Sequence, residues 1–198
     1  MVIGTALRWV IALAGVAAVM AGASSAVFAK AEGDVNFFLG IKTLDEDDWE
    51  PIEDQGAFGA EISIGQDTWP VMIAIDPFFS GAKDDEFGFD LKGATSELAI
   101  GVRKIWNVDN VHPYIGGGPS LLSASFEVEN PFGADVDDDD TTLGWWLGGG
   151  VFWRLGSRFN IGIAARFSSG EVTLFDVDLE AGGLQGGLLL GWGWPATP

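Results

Sequence analysis

The chain has no cysteine among its 198 residues. That excludes a disulfide frame, thiolate chemistry and the lipidated cysteine of a lipoprotein. It has one histidine, His112, and one tyrosine, Tyr114. Positive charge is scarce as well: ten Lys+Arg stand against 29 Asp+Glu, a formal net charge of −19. A surface that acidic excludes nucleic acid as a partner, because phosphates require a basic face. Beyond the first thirty or so residues there is no apolar run long enough for a transmembrane helix, so any membrane crossing must be made by strands. In lipid, only a closed barrel leaves no strand edge with unpaired backbone groups. Disorder is excluded too, since 47% of the residues are hydrophobic and 12% aromatic.

What is present divides in two. Residues 1–29 read as a secretory signal: an early cation (Arg8), an apolar run from Trp9 to Ala21, then GASSAVFA. Val27 and Ala29 occupy the small-residue positions for cleavage after Ala29, and Ala29 with Ala31 offers a second site. Residues 30–198 form the mature domain.

Its closing stretch, LQGGLLLGWGW from Leu184 to Trp194, sets the pattern. Leu184, Leu188, Leu190, Trp192 and Trp194 share one parity, while Gln185, Gly187, Gly191 and Gly193 share the other. Only Leu189 breaks the small-or-polar face. A strand alternates its side chains, so one face is greasy and the other nearly bare. The greasy face suits lipid and the bare face a narrow lumen, with tryptophans at the headgroup level.

Seven earlier segments alternate similarly: 35–42, 58–65, 69–76, 89–103, 112–128, 143–153 and 159–168. In the fourth, Phe89 and Leu91 oppose the parity of Leu98, Ile100 and Val102, which predicts a bulge or a strand protruding past the membrane. The fifth is the weakest, because Ile115 and Leu121 oppose Tyr114, Leu122, Ala124, Phe126 and Val128. Connections alternate long and short. The long ones (43–56, 80–88, 127–142 and 169–181) hold 21 of the 29 acids; the three short turns hold only Asp67 and Asp109. The expectation is an all-β, eight-stranded antiparallel up-and-down transmembrane barrel with its long loops outside. A soluble barrel would turn its bulk inward, and the inward parity here holds too little apolar volume for a core.

With the signal, the eight amphipathic strands, the HPYIGGGPS segment (112–120) and the aromatic-ended last strand, the chain resembles the small bacterial outer-membrane β-barrels of the OmpA/OmpX-like type. The resemblance implies residence in the cell outer membrane and roles from envelope integrity to adhesion. It implies as partners the outer-membrane lipid, lipopolysaccharide and the assembly machinery that reads the C-terminal strand. It also implies a monomer. One departure is that PATP follows Trp194, where such barrels usually end on an aromatic residue.

Chemistry is sparse. A lipid A deacylase needs a histidine and serine within reach, and His112 lies beside a short turn, the wrong end for the outward-facing site of those enzymes. No catalytic residue and no cofactor is expected. Asp135, Asp137, Asp138, Asp139 and Asp140, with DEDD at 45–48, are weak candidates for a divalent cation; they lack the EF-hand glycine and distal glutamate, and a solvated acidic loop is the expectation. Glu61, Glu97, Arg103 and Arg166 fall on the inward parity. Charges in a narrow lumen need partners, so the four are expected to pair across it, Glu97 with Arg103 and Glu61 with Arg166 being the first pairs to consider. Eight strands leave room only for side chains, which favours a plug over a charged small pore. The function expected is structural or surface-interactive. A narrow porin is the alternative, and a lipid A-modifying enzyme comes third.

Overall fold

The computed structural model describes residues 31–86, 89–129 and 136–195, with side chains left out at 85, 86, 89, 90, 127–129, 136 and 137. Residues 1–29, where a secretory signal is expected, and Asp135 therefore lie outside the described residues.

Eight antiparallel strands close into one barrel: β1 (Ala31–Thr43), β2 (Asp54–Gln66), β3 (Met72–Glu86), β4 (Phe89–Ile105), β5 (Val111–Glu129), β6 (Val136–Leu155), β7 (Phe159–Ser169) and, after a small hairpin, β10 (Gly183–Trp194). Sequence neighbours pair throughout, and β1 meets β10 from Gly33 opposite Trp194 to Thr43 opposite Leu184. In β7 burial alternates residue by residue from exposed Phe159 to buried Ser168. The outward side chains form an apolar belt that includes Phe37, Leu39, Phe58, Ile100, Leu147, Ile163 and Leu188, each at least half exposed. A monomer in water does not leave such a contiguous belt uncovered; lipid covers it. Exposed Trp69, Trp106, Trp153 and Trp192 sit close to the short turns and form an aromatic girdle at that rim.

The strands run longer than the sequence pattern suggests. A tilted crossing takes about 9–11 residues, yet β5 has 19 and β6 has 20. The β3–β4 ladder is unbroken from Met72 opposite Arg103 to Glu86 opposite Phe89, so β4 protrudes and does not bulge. Likewise β5 and β6 pair up to Val128 opposite Val136. The acidic run at 136–140 is thus strand where a loop was expected. Continuing the ladder pairs backbone groups that an open loop would leave to solvent. In β5 the even positions face inward: Tyr114, Leu122 and Ala124 are buried, whereas Ile115 and Leu121 are exposed.

Two of the expected long loops carry structure of their own. A single helical turn, α1 (Glu46–Trp49), starts at Asp45, whose carboxylate accepts from the Asp47 amide, and its first turn is acidic, as the helix dipole favours. A hairpin, β8 (Glu171–Leu174) and β9 (Val177–Glu180), turns through Phe175 and Asp176, both at positive φ. These elements fold over the long-loop mouth. There Trp49, Ile52, Leu44, Leu122, Ala124, Val172, Leu174 and Ala181 make a small apolar core, with Trp49 only 1% exposed.

Candidate functional site

The inward parity of the strands brings five charges together in mid-lumen. Arg103 on β4 donates to Asp76 of β3 at 2.6 Å and to the Ser63 hydroxyl at 2.9 Å, and lies 3.9 Å from Glu61. Arg166 on β7 donates to Glu97 at 2.8 Å and sits 3.7 Å from Asp76. The Tyr114 hydroxyl donates to Glu61 at 2.6 Å, and the Ile62 amide donates to the second oxygen of Asp76 at 3.1 Å. Asp76 therefore links the two arginines. Every side chain in these ion pairs is at most 6% exposed.

The pairing differs from the expected one. Glu97 bonds Arg166, not Arg103; Glu61 goes with Arg103, not Arg166. Glu97 and Arg103 lie on one strand six residues apart, about 20 Å at ~3.3 Å per residue, so they cannot meet.

Both guanidiniums lie against aromatic faces. Arg166 is 4.4 Å from the Phe78 ring centre and 4.7 Å from that of Trp146; Arg103 is 5.1 Å from Tyr114 and 5.9 Å from Trp146. Trp146 stands next to both cations, and its indole N–H donates to the Ile100 carbonyl at 3.3 Å. Guanidinium nitrogens without a hydrogen-bond acceptor, such as Arg103 Nε and Arg166 Nε, thus have ring faces close by.

Above this layer Lys42 is buried to 1% exposure. Its ammonium donates to the Thr95 hydroxyl and the Ala181 carbonyl, both at 2.8 Å. Thr95 and Ser80 hydroxyls lie 2.7 Å apart, and Ser80 donates to Gln55 at 2.6 Å. Lys42 has only protons to give, so the chain runs Lys42 to Thr95 to Ser80 to Gln55. The mouth is then clasped from both sides. The Trp49 indole donates to the Glu180 carbonyl at 2.8 Å, and the Glu180 amide donates to Asp48 at 2.8 Å.

At the short-turn mouth Arg154 forms an ion pair with Asp34 and donates to Asn160 at 3.0 Å. Asn160 in turn donates to Asp34 at 3.0 Å and Asn36 at 2.9 Å. His112 stacks on Phe152 with ring centres 4.9 Å apart, and its Nδ1 is 2.9 Å from Asn107 Oδ1. Trp194 is half-buried, folded over Gly33 where a Cβ would come within 2.3 Å of the indole; of the two terminal tryptophans only Trp192 is exposed to lipid.

Two of the candidate cation ligands have structural partners. Asp140 accepts from the Thr173 amide at 2.8 Å and Asp138 from the Phe175 amide at 2.7 Å, which fixes the β8–β9 hairpin to the β6 extension. The Thr173 and Thr141 amides hold the Asp140 carboxyl below the usual range. Asp139 is exposed, and Asp137 is described by its backbone alone. Among the described residues no group of three or more acids or histidines is arranged to hold a metal ion.

The network's missed members were visible in part. Asp76 sits on the inward parity inside the apolar VMIAIDPFF run, and Tyr114 is the only tyrosine. Lys42 and Trp146 likewise fall on the inward parity of their strands, whereas Trp49 carried no such signal, because which loop folds inward is a tertiary fact.

The closed eight-stranded barrel, apolar outside and ion-paired inside, has the fold of the small outer-membrane β-barrels. No family model matches the chain, and no curated protein matches it in sequence. Solved structures do match. One is Ail, the attachment invasion locus protein of Yersinia pestis, in complex with the heparin analogue sucrose octasulfate: TM-score 0.59 and 15% identity, covering 83% of this chain and 99% of that one. Ail without the analogue gives 0.52 at 14% identity, covering 83% and 99%. The outer membrane protein OprG of Pseudomonas aeruginosa gives 0.50 at 13%, covering 85% and 97%. At such identities the likeness establishes the fold.

Proposed function

We propose that this chain is a closed, non-catalytic barrel of the cell outer membrane, with a structural or surface-interaction role carried by its acidic protruding hairpins. The observation that carries it is the mid-lumen layer, where Arg103 and Arg166 share Asp76, Glu61 and Glu97 around Trp146, each arginine and carboxylate at most 6% exposed in its pairs. Ion pairs bonded and stacked this tightly serve as a plug, whereas a conducting lining keeps its charges hydrated. The lipid-facing belt makes outer-membrane lipid its surroundings. Lipopolysaccharide around the long-loop rim, and an assembly machinery reading β10, are the partners this reading assigns, with the barrel a monomer. The extensions of β3–β6, which carry the acids, face outside.

Ail is seen with an octasulfate. Here the acids of the β6 extension and the β8–β9 hairpin oppose a polysulfate, so the surface partner is neutral or cationic. His112 is stacked and bonded as a structural ring, which supports the non-catalytic reading.

The test is conductance in planar bilayers. The purified barrel should give no ion-sized steps, and regular steps would establish the narrow porin instead. A lipid A acyl-chain assay with no product fits the reading; a released acyl chain would replace it with an enzyme.

A further inference from the structure

At the short-turn mouth the barrel holds a cavity of about 250 Å³. Its size is below the ~300–1,000 Å³ of drug-sized pockets, so its occupant is a small solute. Three carboxylates line it, those of Glu32, Asp34 and Asp109, and the one Lys or Arg among its lining residues is Arg154. Arg154 is already committed: it pairs with Asp34, donates to Asn160 and lies 5.7 Å over the Phe152 ring. Among the described residues neither Glu32 nor Asp109 has an ion pair of its own, and Arg154 acts on Glu32 only from beyond ion-pair distance.

A second observation is independent of the acids. His112 lines the same cavity and is 94% buried, at 6% exposure. Its Nδ1 faces the Asn107 carbonyl oxygen at 2.9 Å, which makes Nδ1 the protonated nitrogen. Nε2 then carries a lone pair and is left without a hydrogen-bond partner in the described residues. The half-buried indole of Trp194 supplies an aromatic wall.

We propose that this cavity binds a small amine-bearing cation. Its ammonium is held between Glu32 and Asp109, donates to His112 Nε2 and lies against Trp194. An amine fits better than a bare metal ion. It offers several N–H donors to dispersed acceptors, and no three ligating side chains among the described residues converge as a metal requires. Aromatic faces attract organic cations in addition to charge. The proposal is independent of whether the lumen conducts.

The probe is putrescine, titrated by calorimetry into the detergent-folded protein at low ionic strength, with tryptophan fluorescence as a second readout. Binding should saturate at one equivalent, and butane-1,4-diol of the same length should not bind at tenfold higher concentration. Glu32→Gln with Asp109→Asn should weaken binding at least tenfold. Asn tolerates the left-handed backbone of Asp109, φ 52, so the turn is kept. His112→Phe retains the stack on Phe152, loses Nε2 and should weaken binding several-fold, and Trp194→Phe should remove the fluorescence change. The pair Asp47→Asn with Asp139→Asn, on the other mouth, removes the same charge and should change binding less than twofold. Equal loss in both double variants would reduce the effect to screening of an acidic protein and overturn the site. So would a lack of saturable binding, or Mg²⁺ binding as tightly with the same dependence on Glu32 and Asp109.

Discussion

Asp76 is the residue on which the lumen turns. A carboxylate among Ile73, Ile75, Pro77 and Phe78 looks misplaced in sequence, yet it holds two arginines and accepts a backbone amide. Breaking a buried pair by removing one partner costs about 3–5 kcal/mol, because the other charge is stranded. Glu97→Gln and Arg166→Met should therefore each destabilise strongly, and the double variant should lose less than their sum. Glu97→Gln with Arg103→Met, connected only through Arg166 and Asp76, should couple much less than the direct pair. Urea unfolding in detergent measures both cycles. Additivity in the Glu97–Arg166 cycle would mean the lumen is wet enough to screen the pair. Parity showed which charges point inward. It could not show which of them meet, since that depends on stagger around the barrel, and the register of Asp76 with Ala99 on β4 is set by the ladder as a whole.

Glycine marks the same crowding. A Cβ on Gly150 would lie 2.4 Å from the Ile163 carbonyl and 2.7 Å from the Tyr114 hydroxyl. Gly150→Ala should push Tyr114 off Glu61 and cost roughly 1–3 kcal/mol, the usual range for overpacking. The same urea curves read it, and an unchanged midpoint would mean that β6 and β7 can separate at no cost.

Among the elements, the β8–β9 hairpin and the 43–53 segment were hidden in sequence because both read as acidic loops. Their apolar residues, Leu44, Trp49, Ile52, Val172 and Leu174, show no run and no period of two long enough to separate from loop. Only burial against one another explains them. Trp49→Ala removes a nearly fully buried indole, a change worth about 3–5 kcal/mol in a packed core, and it frees the Glu180 carbonyl. The expected result is faster proteolysis within 43–53 on the folded protein while the gel mobility of the unboiled barrel is unchanged. A variant that loses its barrel altogether would make the cap part of the folding core.

The hairpin's tie to β6 carries a pH dependence. The folded Asp140 carboxyl lies below its usual value of about 3.9, so its contribution is complete above that value. It is lost as the pH falls through the depressed folded value. Amide-exchange protection of Thr173, corrected for the intrinsic rate, should therefore hold down to about pH 4 and fall below it. Asp140→Asn should abolish that step. A step that survives the substitution would place the titration elsewhere.

At the scale of the molecule, the lumen is shut twice. The apolar cap around Trp49 covers the long-loop mouth, and Arg103, Arg166 and Trp146 fill the middle. Lys42 ties the cap to the barrel wall, since it hydrogen-bonds Ala181 of the cap core and Thr95 of β4. Two barriers in series give a definite expectation for ion flow. Opening the cap with Trp49→Ala should leave the barrel silent in planar bilayers at 1 M KCl, because an eight-stranded interior is just wide enough for its side chains and the middle layer still fills it. Emptying the middle with Trp146→Ala and Arg166→Ala should also leave it silent, because the cap still excludes water from the mouth. Only the three substitutions together should give small, regular conductance steps. Steps from Trp49→Ala alone would show that the ion-paired layer is permeable and would move the protein to the porin class. Silence from the triple variant, with the barrel still folded, would mean that a third layer seals the lumen, and Phe152 with Leu189, both nearly fully buried in one lumen cluster with Phe38 and Tyr114, are the side chains to truncate next.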